Sequence, residues 1–450
     1  MSVDYNELVA CLGATLAPES QKAAEARLDA LRNEAGLVPG LMRVLLSNTV
    51  EAPVRQSAAI LMKNMILERW DGRLDEADKN DVRANLLTGL LSCPQTVRYQ
   101  LCSSLSTILR HDYPEKWPEF GQSVLQVVSS GESQNRETTI AALLALYQLV
   151  KVYEFRRVKE RGPLNTVMIP ALPVLVQRVK ASLPDQDSHQ AHIVHLCMKI
   201  FYAYFQFCID QKLVNHATLL SVTEVSHALL STPVSNDVDF DDHQWKSRKW
   251  SLQLLRRMFE RYGRPSSVLH EYKNLAAWYL PNVGVHSMEV AMRMLAAHCG
   301  GQTQMSPRCI HLCLSYLDIA VPVGACWRQM RSHFAGMLEH VLYPLLCHSA
   351  EDEEEWKDDP AEYVRTKYDD NNQLLSPQQA ARSLLYTAAS RRRGVLQDLM
   401  QFVFGLVGRS DVDPHRLDGA LHALGAVGGL ILRRKKLRSE TERFLSQVIS

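Results

Sequence analysis

The chain has 450 residues, 46% of them hydrophobic and 22% charged, with a formal net charge of +1. That length exceeds one compact core, so the chain forms either several domains or one extended repeat architecture. The composition excludes disorder over the whole length, and the near-zero charge excludes a global field that would draw nucleic acid or an anionic membrane.

The first residues, Met1-Ser-Val-Asp-Tyr-Asn-Glu7, lack the basic and apolar regions of a secretory signal. The ten cysteines show no framework of paired spacings, which points to free, mostly buried thiols in a reducing compartment.

Helical periodicity runs through the chain in order. In Ala52–Trp70, Val54, Ala58, Leu61, Met62, Met65 and Ile66 recur at three- and four-residue steps and define one apolar stripe. Pro53 sits where its missing N–H costs nothing, and Arg55, Lys63 and Arg69 are expected off the stripe. The pattern returns at Val97, Leu101, Cys102, Leu105, Ile108 and Leu109, then at Ile140, Leu143, Leu144, Tyr147, Leu149 and Val150. It returns again at Trp250, Leu254, Leu255, Met258 and Phe259. Leu417–Leu432 is too short for a bilayer and is interrupted by Asp418 and His422, so it reads as a buried helix. No convincing strand alternation appears.

Short polar breaks at Ala17–Ser20, Ser47–Thr49, Ser92–Pro94 and Ser130–Ser133 imply antiparallel neighbours. Helix pairs then recur at roughly 40–47 residues, the period of HEAT or armadillo units, which gives about ten hairpins. The expected fold is an all-α HEAT-repeat α-solenoid whose second helices line a concave face. Three stretches break the pattern: Phe155–Pro163, Ser231–His243, and an acidic run at Ser349–Pro360 read as a loop. The divisions expected are N-terminal repeats at 1–155, middle repeats at 156–348, and the acidic loop with its following repeats at 349–450. A helix is expected to begin at Ser439 without a polar capping repeat, which reads as a fragment of a longer protein.

Several stretches resemble one family. Val54-Arg-Gln-Ser-Ala-Ala-Ile-Leu-Met-Lys-Asn64 followed by Trp70 is similar to the second-repeat signature of importin-β-type receptors, and Asp112-Tyr-Pro-Glu-Lys-Trp-Pro118 resembles their Tyr-Pro-x-x-Trp turn. Leu146-Tyr-Gln-Leu-Val-Lys-Val-Tyr-Glu154, Trp245-Lys-Ser-Arg-Lys-Trp250 and Phe259-Glu-Arg-Tyr-Gly263 narrow the resemblance to the importin 7/8 branch. Glu353–Arg365 and Asp413–His422 extend it.

The resemblance to karyopherin-β receptors implies a nuclear import receptor that binds the GTP form of Ran. It implies protein cargo, expected to be basic, and phenylalanine-glycine nucleoporins as partners, with shuttling between cytoplasm and nucleus through the pore. Ran would lie across the second helices, here Ser20–Ala35, Pro53–Trp70, Gln95–Asp112 and Arg136–Tyr153. The polar candidates on them are Arg55, Gln56, Lys63, Asn64, Arg98 and Gln148. The alternative for Arg55, Asn64 and Arg98 is bracing of adjacent repeats.

The acidic run holds Glu351, Asp352, Glu353, Glu354, Glu355, Asp358 and Asp359 around Trp356. Such a cluster attracts a basic partner, and the resemblance assigns it Ran or basic cargo, with Trp356 as anchor or hot spot. Asp237, Asp239, Asp241 and Asp242 form a second acidic loop. It lacks the glycine and distant glutamate of a calcium loop.

The basic groups Lys246–Lys249, Arg391–Arg393 and Arg433–Lys436 lack interleaved aromatic residues and are expected to cap helix carbonyls. Cys309 and Cys313, with His298 and Cys299 upstream, read as core rather than zinc ligands. No metal, cofactor, catalytic residue, direct nucleic-acid contact or membrane insertion is expected. The same periodicity also fits a HEAT scaffold of another class, such as a phosphatase scaffold or coat adaptor. It fits an export karyopherin equally.

Overall fold

The computed structural model describes residues 3–130, 135–184, 187–367, 375–407 and 413–449. The predicted break at Ser130–Ser133 therefore lies largely outside the described residues.

The described residues are helical throughout, with no strand. In chain order the helices are α1 Tyr5–Ala14, α2 Gln21–Leu31, α3 Leu37–Leu46, α4 Ala52–Arg69, α5 Glu76–Ser92, α6 Gln95–Asp112, α7 Glu119–Ser129 and α8 Arg136–Tyr153. Then come α9 Gly162–Ser182, α10 Ser188–Phe205, α11 His216–Ser231, α12 His243–Tyr262, α13 Lys273–Tyr279, α14 Val285–Cys299, α15 Pro307–Ala320, α16 Gly324–Met330, α17 Phe334–Met337 and α18 Tyr343–Leu346. The last are α19 Ala350–Asp358, α20 Pro360–Lys367, α21 Pro377–Arg391, α22 Val395–Val407, α23 Pro414–Ile431 and α24 Lys435–Ile449. No helix among the described residues is long and apolar enough to cross a membrane.

The chain divides into two compact units, Met1–Val222 and Thr223–Ser450. In the first, the second helices α4, α6, α8 and α10 pack in a row, with α3 against α5 and α7 against α9 behind them. In the second, α12, α15, α21 and α23 form the row. Each unit is thus a stack of antiparallel hairpins, the all-α HEAT-repeat solenoid fold. Each row buries most of the stripe that periodicity marks, with Leu61, Leu144, Tyr147 and Trp250 left partly exposed. Leu45, Met62, Leu105, Leu146 and Leu175 have no exposed surface in the first unit, nor do Leu255, Leu317, Leu384 and Val427 in the second.

Two glycines are dictated by geometry. Gly36 adopts φ 87° ahead of α3, where its N–H donates to both carboxylate oxygens of Asp78 at 3.0 and 2.8 Å. A Cβ at Gly419 of α23 would stand 2.5 Å from Cys347 Sγ, so the two elements meet this closely only through glycine.

Some sequence expectations are corrected. Leu417–Leu432 is not a fully buried helix. On α23, Ala420, Ala423, Val427 and Ile431 are buried, whereas Leu421, and Leu432 just past the helix, face solvent. α23 packs against α18, α21, α22 and α24, and the face they leave open carries the exposed Leu421. The last helix begins at Lys435, not Ser439.

A buried histidine gives the second unit a pH dependence. His227 on α11 lies against Ser287 of α14, Nε2 to Oγ 2.8 Å, and against the His286 ring at 4.6 Å. Ser287 donates its hydroxyl hydrogen to Val283 O at 2.9 Å, so Nε2 of His227 carries a hydrogen and donates it to Ser287 Oγ. Burial first, then His286 and Arg293, pulls its pKa down to about 3. The folded value lies below the unfolded one. The stabilisation is therefore complete above about pH 6.5 and is lost as pH falls from there toward 3. Local unfolding free energy at α11 and α14 should fall by up to about 1.4 kcal/mol per pH unit in that window. His227→Gln should flatten the slope, as read by hydrogen exchange at pH 7 and pH 5. Equal slopes in the two proteins would refute the assignment.

Candidate functional site

The six polar candidates on the second helices separate into two groups. Arg55 is buried, contrary to the expectation that it falls off the apolar stripe, and its Nε donates to Leu45 O at 2.8 Å. Arg98 is buried too, with Nη2 on Cys93 O at 2.9 Å and Nη1 on Glu137 Oε2 at 2.8 Å. The carbonyls they reach lie at the C-terminal ends of α3 and α5, which carry unsatisfied acceptors and partial negative charge. Arg98 thus braces adjacent repeats through Glu137 of α8, whereas Arg55 braces α4 to its own hairpin partner α3.

The same device recurs. Arg69 caps Arg32 O at 2.5 Å, Arg178 caps Val128 O at 2.7 Å, and Arg161 caps Tyr204 O at 2.8 Å. Arg248 donates to Thr232 O at 2.8 Å, and Arg392 Nε to Val321 O at 2.8 Å. Arg248 is so enclosed that burial lowers its pKa to about 10. The carbonyl-capping role expected for the basic groups is thus seen for Arg248 and Arg392.

The other four candidates remain at the surface. Gln56 is exposed, and Lys63, Asn64 and Gln148 are half-exposed. Around them lie Ile60, Leu67 at 66% exposure and Tyr99 at 58%, apolar groups that periodicity had not marked as a surface. Together, α4, α6 and α8 present a stripe that mixes apolar and polar groups, the composition of a protein-binding face.

Behind this stripe two distant motifs meet. Trp70 is buried and its Nε1 donates to Asp112 Oδ2 at 3.0 Å, while Arg83 Nη1 donates to the same oxygen at 2.5 Å. Arg83 also reaches Glu76 Oε1 at 2.5 Å and lies over the Trp70 ring. Next in the chain, Tyr113 donates to Pro163 O at 3.1 Å and Trp117 packs on Phe120 at 4.7 Å. Glu154, buried, accepts from Lys151 and Gln206. The motifs therefore fix how successive hairpins stack, and that sets where the stripe residues stand.

The acidic run is not a loop. It is α19, which forms with α20 a helical hairpin between α18 and α21. Ser349 accepts from Asp352 N at 3.0 Å, and Asp352 Oδ2 accepts from Ser349 N at 2.9 Å, a capping box. Three acids in the first turn sit at the positive end of the helix dipole, which offsets their mutual repulsion. A density of like charge reads as loop, yet here it favours the helix.

The hairpin sorts the acids by role. Asp352 pairs with buried Lys367 at 2.8 Å, and Glu353 pairs with Lys357 at 3.0 Å and His348 at 3.2 Å. Burial raises the Asp352 pKa, but the Lys367 and Ser349 hydrogen bonds outweigh it and hold the carboxyl below its ordinary value. Lys357 does the same for Glu353. Asp359 caps α20, accepting from Ala361 N and Glu362 N at 3.0 Å each. That leaves Glu351, Glu354, Glu355 and Asp358 exposed at i, i+3, i+4 and i+7, one acidic stripe. Trp356 is 44% exposed and meets the buried Tyr363 edge-on at 5.7 Å.

The second acidic stretch is a loop as expected. Asp239 Oδ1 accepts from Asp241 N at 2.6 Å, Asp242 caps α12 through Gln244 N at 2.7 Å, and Asp237 accepts from Ser235 Oγ at 3.4 Å. Cys309 and Cys313 lie in the buried face of α15, and burial pushes the Cys309 thiol up to about 11.

The second unit also holds a groove that the sequence did not mark, about 1270 Å³, between α14, α17–α18 and α22. Met288, Met292, Met337, Val341, Phe402 and Leu406 give it an apolar lining. Flexible methionines suit such a surface to varied apolar guests.

Comparison with known proteins places these features in a family. The Importin-beta N-terminal domain matches residues 24–92, and the Exportin 1-like protein family matches residues 94–238. Importin-8 of Mus musculus is 33% identical over 98% of this chain and 45% of its own length, and Importin-8 of Homo sapiens is 33% identical over 98% and 44%. The chain thus spans about half the length of the curated relatives it matches. Among solved structures, the exportin Cse1 in its cargo-free, cytoplasmic state shares the fold with a TM-score of 0.73 at 16% identity, covering 94% of this chain and 46% of that one. Kap95p with RanGDP, whose switch loops adopt the GTP-bound conformation, gives 0.57 at 14% identity over 94% and 45%. The Kap95:Nup1 complex gives 0.58 at 14% over 94% and 46%.

Proposed function

The chain belongs to the importin-β family of karyopherins, in the importin 7/8 branch, and from that premise we propose that it is a nuclear import receptor that binds Ran-GTP and basic protein cargo. The observation that carries this reading is the solvent-facing stripe of Gln56, Ile60, Lys63, Asn64, Leu67, Tyr99 and Gln148. Its α4 members fall in the segment matched by the Importin-beta N-terminal domain. The receptor acts by binding rather than by catalysis and shuttles between cytoplasm and nucleus.

In this reading Ran lies across α4, α6 and α8, with Arg55 and Arg98 positioning the helices and Gln56, Lys63, Asn64 and Gln148 touching the partner. The exposed stripe of α19 supplies a negative potential for a basic surface, on cargo or on Ran, which speeds encounter. The loop of Asp237, Asp239 and Asp241 adds to it. The groove between α14, α17–α18 and α22 takes phenylalanine side chains of nucleoporins. In a stack of nearest-neighbour contacts, small rotations between repeats add up. Two partners that prefer different stackings then weaken each other by one reciprocal coupling free energy.

The test is capture of this chain by immobilised Ran loaded with GTP or GDP, with and without a basic cargo. The expected result is retention by the GTP form alone and cargo release as Ran-GTP is added. Equal retention by both forms would move the chain to the scaffold class. Stronger cargo binding with Ran-GTP would make it an export karyopherin.

A further inference from the structure

Where the acidic hairpin meets α23, five side chains with metal-ligating chemistry line one small cavity of about 360 Å³: His348, Glu353, His415, Asp418 and His422. They come from three places in the chain: the connector before α19, α19 itself, and one face of α23, where residues 415, 418 and 422 follow at i, i+3 and i+7. Ligand atoms of His348, Glu353 and His415 all lie within 4.8 Å of one another. The rings of His348 and His415 stack at 5.2 Å with planes 25° apart.

The geometry points to a divalent transition-metal site, with zinc as the fitting ion, held by His348 Nε2, Glu353 Oε2 and a ring nitrogen of His415. Two imidazoles and a carboxylate are the donor set of zinc rather than of calcium or magnesium, which take oxygen. Zinc with donors about 2.0–2.2 Å away holds them roughly 3–3.5 Å apart, so small side-chain rotations close the set. Nothing in the family reading calls for an ion here, and the inference does not depend on Ran or cargo binding.

The surroundings are built in the way ligands require. Lys357 holds Glu353 Oε1 at 3.0 Å, which leaves Oε2 turned toward His348. Tyr363 OH stands 3.2 Å from His348 Nδ1, and Lys367 donates to the same hydroxyl. With the Tyr363 hydrogen given to Nδ1, the His348 hydrogen sits on Nε2 and points at Glu353. A metal ion between Nε2 and Glu353 takes that hydrogen's place. The hydrogen moves to Nδ1 and is donated to the Tyr363 oxygen, the orienting contact that ligating histidines make. Arg382 donates to His422 Nδ1 at 2.8 Å, which turns His422 Nε2 toward Asp418 Oδ2 at 3.5 Å and orients that carboxylate.

The bound ion would clamp α19 to the first turn of α23. It would tie the acidic stripe to the repeat stack, because Glu353 stands on α19 and His415 on α23.

The experiment titrates chelator-treated full chain with ZnCl2 by calorimetry, with MgCl2 as the control ion, and follows hydrogen exchange of residues 350–367. The wild type should bind one equivalent of zinc that magnesium does not replace, and exchange in α19 should slow. His415→Ala and Glu353→Gln should each weaken that equivalent at least about tenfold and abolish the slowing. The exposed His415 side chain makes the first variant safe for folding, which circular dichroism checks. Zinc affinity equal in wild type and His415→Ala, or bound zinc that leaves exchange of 350–367 unchanged, overturns the site. The chain's 16 histidines give weak background binding that the variants share, so only the difference counts.

Discussion

Replacing Asp112 with Ala should lower the local unfolding free energy of α4–α8 by about 3 kcal/mol, a figure set by the cost of breaking a buried ion pair. One carboxylate oxygen holds both the Trp70 indole N–H and the Arg83 guanidinium. Its removal leaves Trp70 Nε1 enclosed without an acceptor, which alone costs about 1–3 kcal/mol, and leaves Arg83 with Glu76 and Asn80. Solenoid hairpins unfold with partial independence, so a global melt would dilute the effect. Hydrogen exchange of α4 to α8 should accelerate by about two orders of magnitude, while α12–α15 stay unchanged. Arg83→Ala should also destabilise α4–α8, because it leaves the buried Asp112 carboxylate with the Trp70 N–H alone. The double variant should cost less than the sum of the two. Additive costs, or an exchange change below about threefold, would show that the motif residues are not energetically joined.

Reversing the four exposed acids of α19, Glu351, Glu354, Glu355 and Asp358, to lysine should reduce affinity for a basic cargo peptide by about 100-fold at low salt. Most of the loss should fall on the association rate. The difference should shrink sharply as salt rises, since exposed charges are screened within about 8–10 Å at 0.1–0.15 M. Helicity of the hairpin should survive, because Asp352, Glu353 and Asp359, which hold it, are untouched. Asp352→Ala makes the contrast: it unpairs buried Lys367 and should loosen α19–α20 while leaving the stripe's charge intact. Binding of Ran-GTP and of basic cargo unchanged by the fourfold reversal would remove the proposed role of the stripe. A loss equal in both variants would assign it to hairpin structure instead.

The contrast between these two experiments follows from which contacts are local. The helices at 52–69, 95–112 and 136–153 were legible from spacing alone, because burial of one stripe demands a 3.6-residue period in the chain itself. The Tyr-Pro-x-x-Trp turn between α6 and α7 came instead from the family resemblance. The acidic run was misread as a loop because its charge density outweighed a local signal that was present, Ser349 three residues before Asp352. Of the stripe candidates, Arg55 and Arg98 looked equivalent to Lys63 and Gln56 in the sequence. A long flexible side chain can bury its stem or extend it, and which it does depends on whether an open helix end lies beside it.

What the sequence determined by itself was the alphabet of helices, their pairing and the family, since periodicity, breaks and short motifs are properties of neighbouring residues. Only the tertiary structure decided that Trp70, Arg83 and Asp112 share one oxygen, that α14, α17–α18 and α22 leave an apolar groove, and that His348 and Glu353 meet His415. These groups stand tens of residues apart. They are brought together by how one hairpin seats on the next, a packing free energy summed over many side chains that no single stretch of sequence encodes.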